Sequence, residues 1–97
     1  MQIGRVIGNI WATRKEQKLA GLKLLIIQPI NIIDESGDKS PIVAADIIGA
    51  GIGETVIFVG GSSARGAAGS LDIPVDATVV GIVDDQEIDH TLIERKR

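Results

Sequence analysis

The chain contains no cysteine and no tyrosine, a single histidine (His90), and only two aromatic residues, Trp11 and Phe58. Without cysteine no disulfide can brace the fold, and one histidine leaves too few ligands for a structural zinc site. Thiol chemistry is excluded, and His90 lies in a polar tail where an exposed surface residue is a simpler reading than a general base. Net positive charge is lacking too: 10 Lys and Arg stand against 13 Asp and Glu, giving a formal charge of −3 and a pI near 5.0. That balance denies the chain the basic footprint of a nucleic-acid binder, and two aromatics offer little for stacking bases. Apolar runs such as residues 24–27 are far too short to cross a bilayer, and Met1-Gln2-Ile3-Gly4-Arg5 does not open a signal peptide. A soluble, cytosolic protein that touches neither membrane nor nucleic acid is expected.

A chain of 97 residues is expected to form one domain over its whole length, and a domain of that size buries too little surface to be robust unless something reinforces it. With disulfides and zinc set aside, association with further subunits is the reinforcement that remains. Composition agrees. The chain is 44% hydrophobic, with a mean hydropathy of +0.26, yet it is rich in Ile, Val, Leu and Ala rather than in bulky rings. A small barrel with apolar subunit interfaces suits that inventory.

Glycine is what the chain has in quantity, and it gathers in residues 45–65, ADIIGAGIGETVIFVGGSSAR. Gly49, Gly51 and Gly53 alternate with Ala50 and Ile52, so this backbone can adopt φ > 0 or approach another backbone closely. A dinucleotide fingerprint would place G-x-G-x-x-G between a strand and a helix. Here the glycines lead into a strand, with Glu54 where a pyrophosphate would be repelled. No Gly-Lys pair exists to make a P-loop. Close backbone packing is the better reading. The strand, residues 55–59, ends at Gly60-Gly61, after which Ser62 or Ser63 is expected to cap a short helix through residues 64–68.

The rest of the chain is read as strands joined by polar turns. The first spans residues 3–13, with Gly4 and Gly8 on one face and Arg5 and Asn9 on the other. The second spans residues 22–30, the third residues 42–48, and the last starts at Pro74, its core being residues 76–83. Leu22, Leu24 and Ile26 share one face of the second strand, while Leu25 and Ile27 share the other, so both faces are apolar. A strand of an isolated small barrel alternates apolar and polar residues; a neighbouring subunit covering the outer face is the economical explanation. Residues 14–18 form a charged turn, either a solvated hairpin tip or a basic contact surface. Residues 31–41 form an exposed loop with Gly37 at its tip. Asp34, Ser36 and Asp38 have the spacing of a calcium loop, but Lys39 stands where glycine is required and Ala45 where the bidentate Glu belongs. The tail, residues 84–97, is acidic and then basic, and is either a solvated end or a docking segment. Five strands with one short helix between the fourth and fifth make a small closed OB-like β-barrel, an all-β fold.

Catalysis would require a nucleophile with a base, a carboxylate pair or a metal site. Ser62 and Ser63 do not sit in G-x-S-x-G, since Ala64 and Arg65 follow them. Asp46 and Glu54 could flank the glycine loop as an acid–base pair. Structural roles account for them equally, with Glu54 either beside free backbone amides or paired across an interface with Arg65. No enzyme activity, cofactor or metal is expected.

Three blocks of sequence carry a resemblance. Gly4-x-Val6-x-Gly8 with Trp11-Ala12-Thr13-x-Lys15 opens the chain. Asp46, Gly49-Ala50-Gly51, Gly53-Glu54, Val56 and Gly61-Ser62-Ser63-Ala64-Arg65 form the centre, and Pro74-Val75-Asp76-Ala77-x-Val79-Val80-Gly81-Ile82-Val83-Asp84 comes near the end. In this order they resemble the signature of the EutN/CcmL family, the pentameric vertex proteins of bacterial microcompartment shells. The resemblance implies a cyclic homopentamer that caps a five-fold vertex of an icosahedral shell, with a narrow axial pore and with hexameric and trimeric shell proteins as partners. It also implies that Asp46, Gly49, Ala50, Gly51, Gly53, Glu54, Gly61, Ser62, Ser63, Ala64 and Arg65 lie at subunit contacts or around that axis. The alternative from another class is an OB-like nucleic-acid-binding module, which needs the basic groove and aromatics that this chain lacks.

Overall fold

Five segments rich in β-branched residues become strands in the computed structural model, which describes residues 1–12, 15 and 17–93. They are β1 (Gln2–Ile10), β2 (Lys23–Pro29), β3 (Ile42–Asp46), β4 (Thr55–Gly60) and β5 (Ala77–Ile82), with one helix, α1 (Gly61–Ala68), between β4 and β5. The strands close into a barrel in the order β1-β2-β3-β5-β4. All neighbours are antiparallel except β3 and β5, whose parallel pairing rests on Ala45 opposite Thr78 and Asp46 opposite Val79. Closure leaves no free sheet edge, so a small chain avoids exposing unpaired backbone groups. The interior is filled by Val6, Leu25, Ile27, Ala44, Ala50, Val56, Phe58, Ala77 and Val79. This is the closed five-stranded barrel expected from the sequence.

Several boundaries move, each for a local reason. The first strand ends at Ile10 rather than at residue 13, and Thr13 lies outside the described residues, as do Arg14 and Glu16 of the charged turn. The third strand stops at Asp46, because that side chain captures the N–H groups of the residues after it and turns the chain. The fifth begins at Ala77, three residues after Pro74. Before it, Val75 N–H bonds the carbonyl of Ile73 in a tight turn.

Gly4 and Gly8 do not share a face. A bulge between Val6 and Gly8 sets two steps of β1 against one of β2, from Ile27 to Ile26, and an extra residue reverses the alternation beyond it. Gly4 therefore faces the core, where a Cβ would collide with Ile27 Cγ2 and lie 3.1 Å from the Phe58 ring. Gly8 lies against the outward-facing Ile26, and Asn9 turns inward, its Oδ1 buried with no hydrogen-bond partner among the described residues.

The 31–41 loop also differs from expectation. Asn31 organises it: its Oδ1 accepts from Ile33 N–H at 2.8 Å and its carbonyl from Glu35 N–H at 2.8 Å. Glu35 takes the left-handed conformation (φ 59°), and Gly37 returns to bridge Ile30. The tip is therefore at Ile32 to Glu35, not at Gly37.

Candidate assembly surface

The glycine loop between β3 and β4 is tied down by the two carboxylates that flank it. Asp46 is 7% exposed. Its Oδ1 accepts from Ile48 N–H at 2.9 Å and Gly49 N–H at 3.1 Å, and its Oδ2 from Gly49 N–H at 3.1 Å and Ala50 N–H at 2.9 Å. Successive amides converging on one carboxylate form an anion nest that is filled from within the chain. Glu54 does the same at the other end, its Oε1 accepting from Gly51 N–H at 2.6 Å. Gly49 (φ 94°) and Gly53 (φ 92°) supply the left-handed turns that aim these amides inward. Lys23 adds a third tie from the start of β2, donating from Nζ to the Ala50 carbonyl at 2.9 Å and standing 4.0 Å from Asp46 Oδ2. Gly53 N–H to the Val6 carbonyl and Val6 N–H to the Glu54 carbonyl, at 2.8 and 2.9 Å, fasten the loop to β1.

This arrangement settles what the carboxylates do. Every Asp46 oxygen is occupied by amides, and Glu54 answers the loop's own backbone, so the acid–base reading gives way to a structural one. Ala50 is fully buried and closes one end of the barrel core, while Ile47, Ile48 and Ile52 are 45, 45 and 63% exposed. The loop thus shows three isoleucines on its outside while its backbone is tied down from within.

Residues 61–65 form the first turns of α1. The helix begins at Gly61 with Gly60 as its N-cap and no side-chain cap bond, so the expected capping by Ser62 or Ser63 does not occur. Gly61 already continues the helix, leaving both serines inside its exposed first turn rather than before it. Ala64 is fully buried, and Thr78 of β5 donates its hydroxyl to the Ala64 carbonyl at 2.7 Å, stapling α1 to the barrel. Arg65 is half-buried and makes no ion pair among the described residues of the chain. Within one subunit, β4 separates the end of the glycine loop from the start of α1 by about 20 Å, so Glu54 and Arg65 belong to different patches. Sequence reasoning gathered Asp46, Gly49, Ala50, Gly51, Gly53 and Glu54 correctly into one element and Gly61 to Arg65 into another. It missed Lys23 and Thr78, the two side chains that fix those elements from outside. A lone lysine in the apolar run of β2 was the available signal for the first; nothing in the run of β5 distinguished Thr78.

Apolar residues are exposed elsewhere on the barrel wall as well, notably Ile7 and Val43, so the outward-facing isoleucines and valines are not covered by the chain itself. Phe58 is buried and Trp11 is 86% exposed. Among the described residues no cluster of His, Cys, Asp and Glu could hold a metal, and no helix is long and apolar enough to cross a membrane.

Comparison with known proteins gives the same picture over most of the chain. Residues 1–84 match the family model described as ethanolamine utilisation protein EutN/carboxysome. A carboxysome shell vertex protein, CcmL, of Gloeobacter violaceus is 46% identical over 99 residues, covering 100% of this chain and 96% of the relative. A bacterial microcompartment shell vertex protein, EutN, of Salmonella typhimurium is 47% identical over 87 residues, covering 88% and 85%. Among solved structures, the pentameric microcompartment shell protein GrpN from Rhodospirillum rubrum superimposes with a TM-score of 0.81 at 43% identity, covering 92% of this chain and 100% of that one.

Proposed function

The chain belongs to the EutN/CcmL family, and on that premise we propose that it is a structural protein whose cyclic homopentamer closes the five-fold vertices of a bacterial microcompartment shell. The observation that carries this is the match in length, fold and sequence to shell vertex proteins of more than one kind of microcompartment. The physics of the barrel supports it. A ring closes through a heterologous interface, in which one patch of each subunit meets a different patch of the next. An apolar outer wall and a rigid loop bearing exposed isoleucines provide the material for such patches. The protein catalyses no reaction; its action is geometric, because a sheet of hexagonal tiles cannot close without pentagons.

Asp46, Gly49, Ala50, Gly51, Gly53 and Glu54 on the loop, and Gly61, Ser62, Ser63, Ala64 and Arg65 on the helix, lie at subunit contacts or around a narrow axial pore. The partners are the hexameric and trimeric shell proteins of the same compartment. The nucleic-acid reading finds no support, since Phe58 is buried and Trp11 is left as a lone exposed ring on an acidic chain.

Co-expression with hexameric and trimeric shell proteins tests the proposal. Closed polyhedral shells containing this chain at substoichiometric amounts are expected, with open or elongated assemblies when it is omitted. Identical closed shells in both cases would overturn it.

A further inference from the structure

The bulge in β1 leaves one polar atom of the barrel unanswered. Beyond it Asn9 turns inward, and its Oδ1 is buried with no hydrogen-bond partner among the described residues. Asn9 stands opposite Leu25, and Ile10 opposite Leu24, at the end where β1 and β2 part. A buried amide oxygen without a donor is costly, and native structures hold few of them. The space beside this one is large. Asn9 lines a pocket of about 420 Å³ between the end of β1 and the start of β2, within the ~300–1,000 Å³ range of small-molecule sites and far more than the single water that the oxygen would need.

The other walls give this pocket a sign and a shape. Lys15 and Lys23 both line it, and no described residue of its lining carries a carboxylate. In a chain of formal charge −3 that is a local excess of positive charge, and a hollow with apolar walls focuses its field. Lys15 makes no hydrogen bond or ion pair among the described residues. Lys23 gives one proton to the Ala50 carbonyl at 2.9 Å, and its side chain is 49% exposed, so its ammonium has donors to spare. Asp46 lies 4.0 Å from that ammonium, but its oxygens answer the amides of the glycine loop. Leu22 and Leu24 add apolar wall, and Trp11 lines the pocket while remaining largely exposed, offering the face of its ring.

We propose that this pocket binds a small hydroxylated anion of the class of phosphorylated or carboxylated polyols. Lys15 and Lys23 take the charge, a ligand hydroxyl donates to Asn9 Oδ1, and the carbon skeleton lies along Trp11 and the two leucines. Each requirement excludes an alternative. An anion without a proton to donate leaves the Asn9 oxygen unanswered, a neutral polyol leaves both ammoniums unanswered, and a cation is repelled. The inference does not depend on the ring reading above; it gives a ligand to a protein that performs no chemistry.

The pocket carries its own reporter, because Trp11 is the only tryptophan of a chain without tyrosine. The full-length protein in its native assembly is titrated at low salt with glycerol 3-phosphate, with sulfate (charge without a donor) and with glycerol (hydroxyls without charge), while Trp11 fluorescence is followed. A saturable change is expected with glycerol 3-phosphate, weaker by about ten-fold with sulfate, the value of one hydrogen bond, and absent with glycerol. Lys15→Gln, at an exposed position, is expected to weaken glycerol 3-phosphate by about two- to five-fold, and added salt to act in the same direction. Asn9→Ala is expected to abolish the preference over sulfate while sulfate itself binds as before, a pattern that a merely structural asparagine would not give. Circular dichroism and native mass establish that each variant keeps its fold, and Lys15→Gln carries the test by itself if Asn9→Ala does not. Equal affinity for sulfate and glycerol 3-phosphate, no saturable response to any of the three, or unchanged binding by Lys15→Gln would overturn the proposal.

Discussion

Replacing Asp46 by alanine removes the acceptor for three consecutive backbone N–H groups at once. Those of Ile48 and Gly49 belong to exposed residues, where water can substitute, so their loss costs little. The amide of Ala50 is different: its residue is fully buried, and an unsatisfied buried donor costs about 1–3 kcal/mol. A charged acceptor adds to the bond it replaces, whereas the contact with the half-exposed Lys23 ammonium at 4.0 Å adds little. The sum is a loss of about 2–4 kcal/mol, a large part of the stability of so small a domain. Urea unfolding at fixed protein concentration measures it, because the stability of an assembling protein depends on concentration. Asp46→Asn is expected to lose nearly as much, since its amide nitrogen must face an N–H that the carboxylate oxygen now accepts. A change below about 0.5 kcal/mol for Asp46→Ala would refute the reasoning, for it would mean that water reaches the Ala50 amide or that the loop holds its shape without the carboxylate.

Three further outcomes are expected. Gly4→Ala forces a methyl between Ile27 and the Phe58 ring and is expected to cost about 1–3 kcal/mol by overpacking, read as a lowered unfolding midpoint. Thr78→Val keeps the shape but removes the hydroxyl bond to the Ala64 carbonyl, which retains its helical partner; a loss of about 0.5–1.5 kcal/mol is expected, with faster amide exchange confined to α1. The Thr91 hydroxyl, and then its N–H, hold the Asp89 carboxyl below the ordinary aspartate value. A carboxyl lowered in the folded state stabilises the turn that Asp89 caps, His90–Leu92, above its unfolded value of about 3.9 and loses that contribution as pH falls through the lower folded value. NMR titration of Asp89 is expected to show the depressed midpoint, and Thr91→Val to return it towards the ordinary value.

The barrel was legible because its signal is local and repeated: short β-branched runs separated by glycine and polar turns can hardly pair otherwise. The loop was legible only in part. Three glycines beside Glu54 suggest a carboxylate answering freed amides, though a pairing with Arg65 fits the sequence equally, and the amide nest around Asp46 shows only in the folded loop. What escaped the sequence are features set by pairing across the barrel. The bulge after Val6, which turns Asn9 inward and Gly8 outward, is fixed by the register with β2 and leaves no mark in β1. Lys23 finds the Ala50 carbonyl 27 residues away, and Thr78 finds Ala64 only because α1 folds back on β5. The serine cap failed on a smaller point: Gly61 lengthened the helix towards its N-terminus, so a residue type suited to capping became one inside the first turn.

The measurement that tests the central claim most directly is the native mass of the purified protein by multi-angle light scattering across a dilution series. The account expects about 51 kDa, five times the 10.2 kDa chain, persisting until the ring dissociates at high dilution. A mass of one chain at every concentration, with the barrel folded, would contradict it, because the exposed isoleucines of the loop and the wall would then have no subunit to meet.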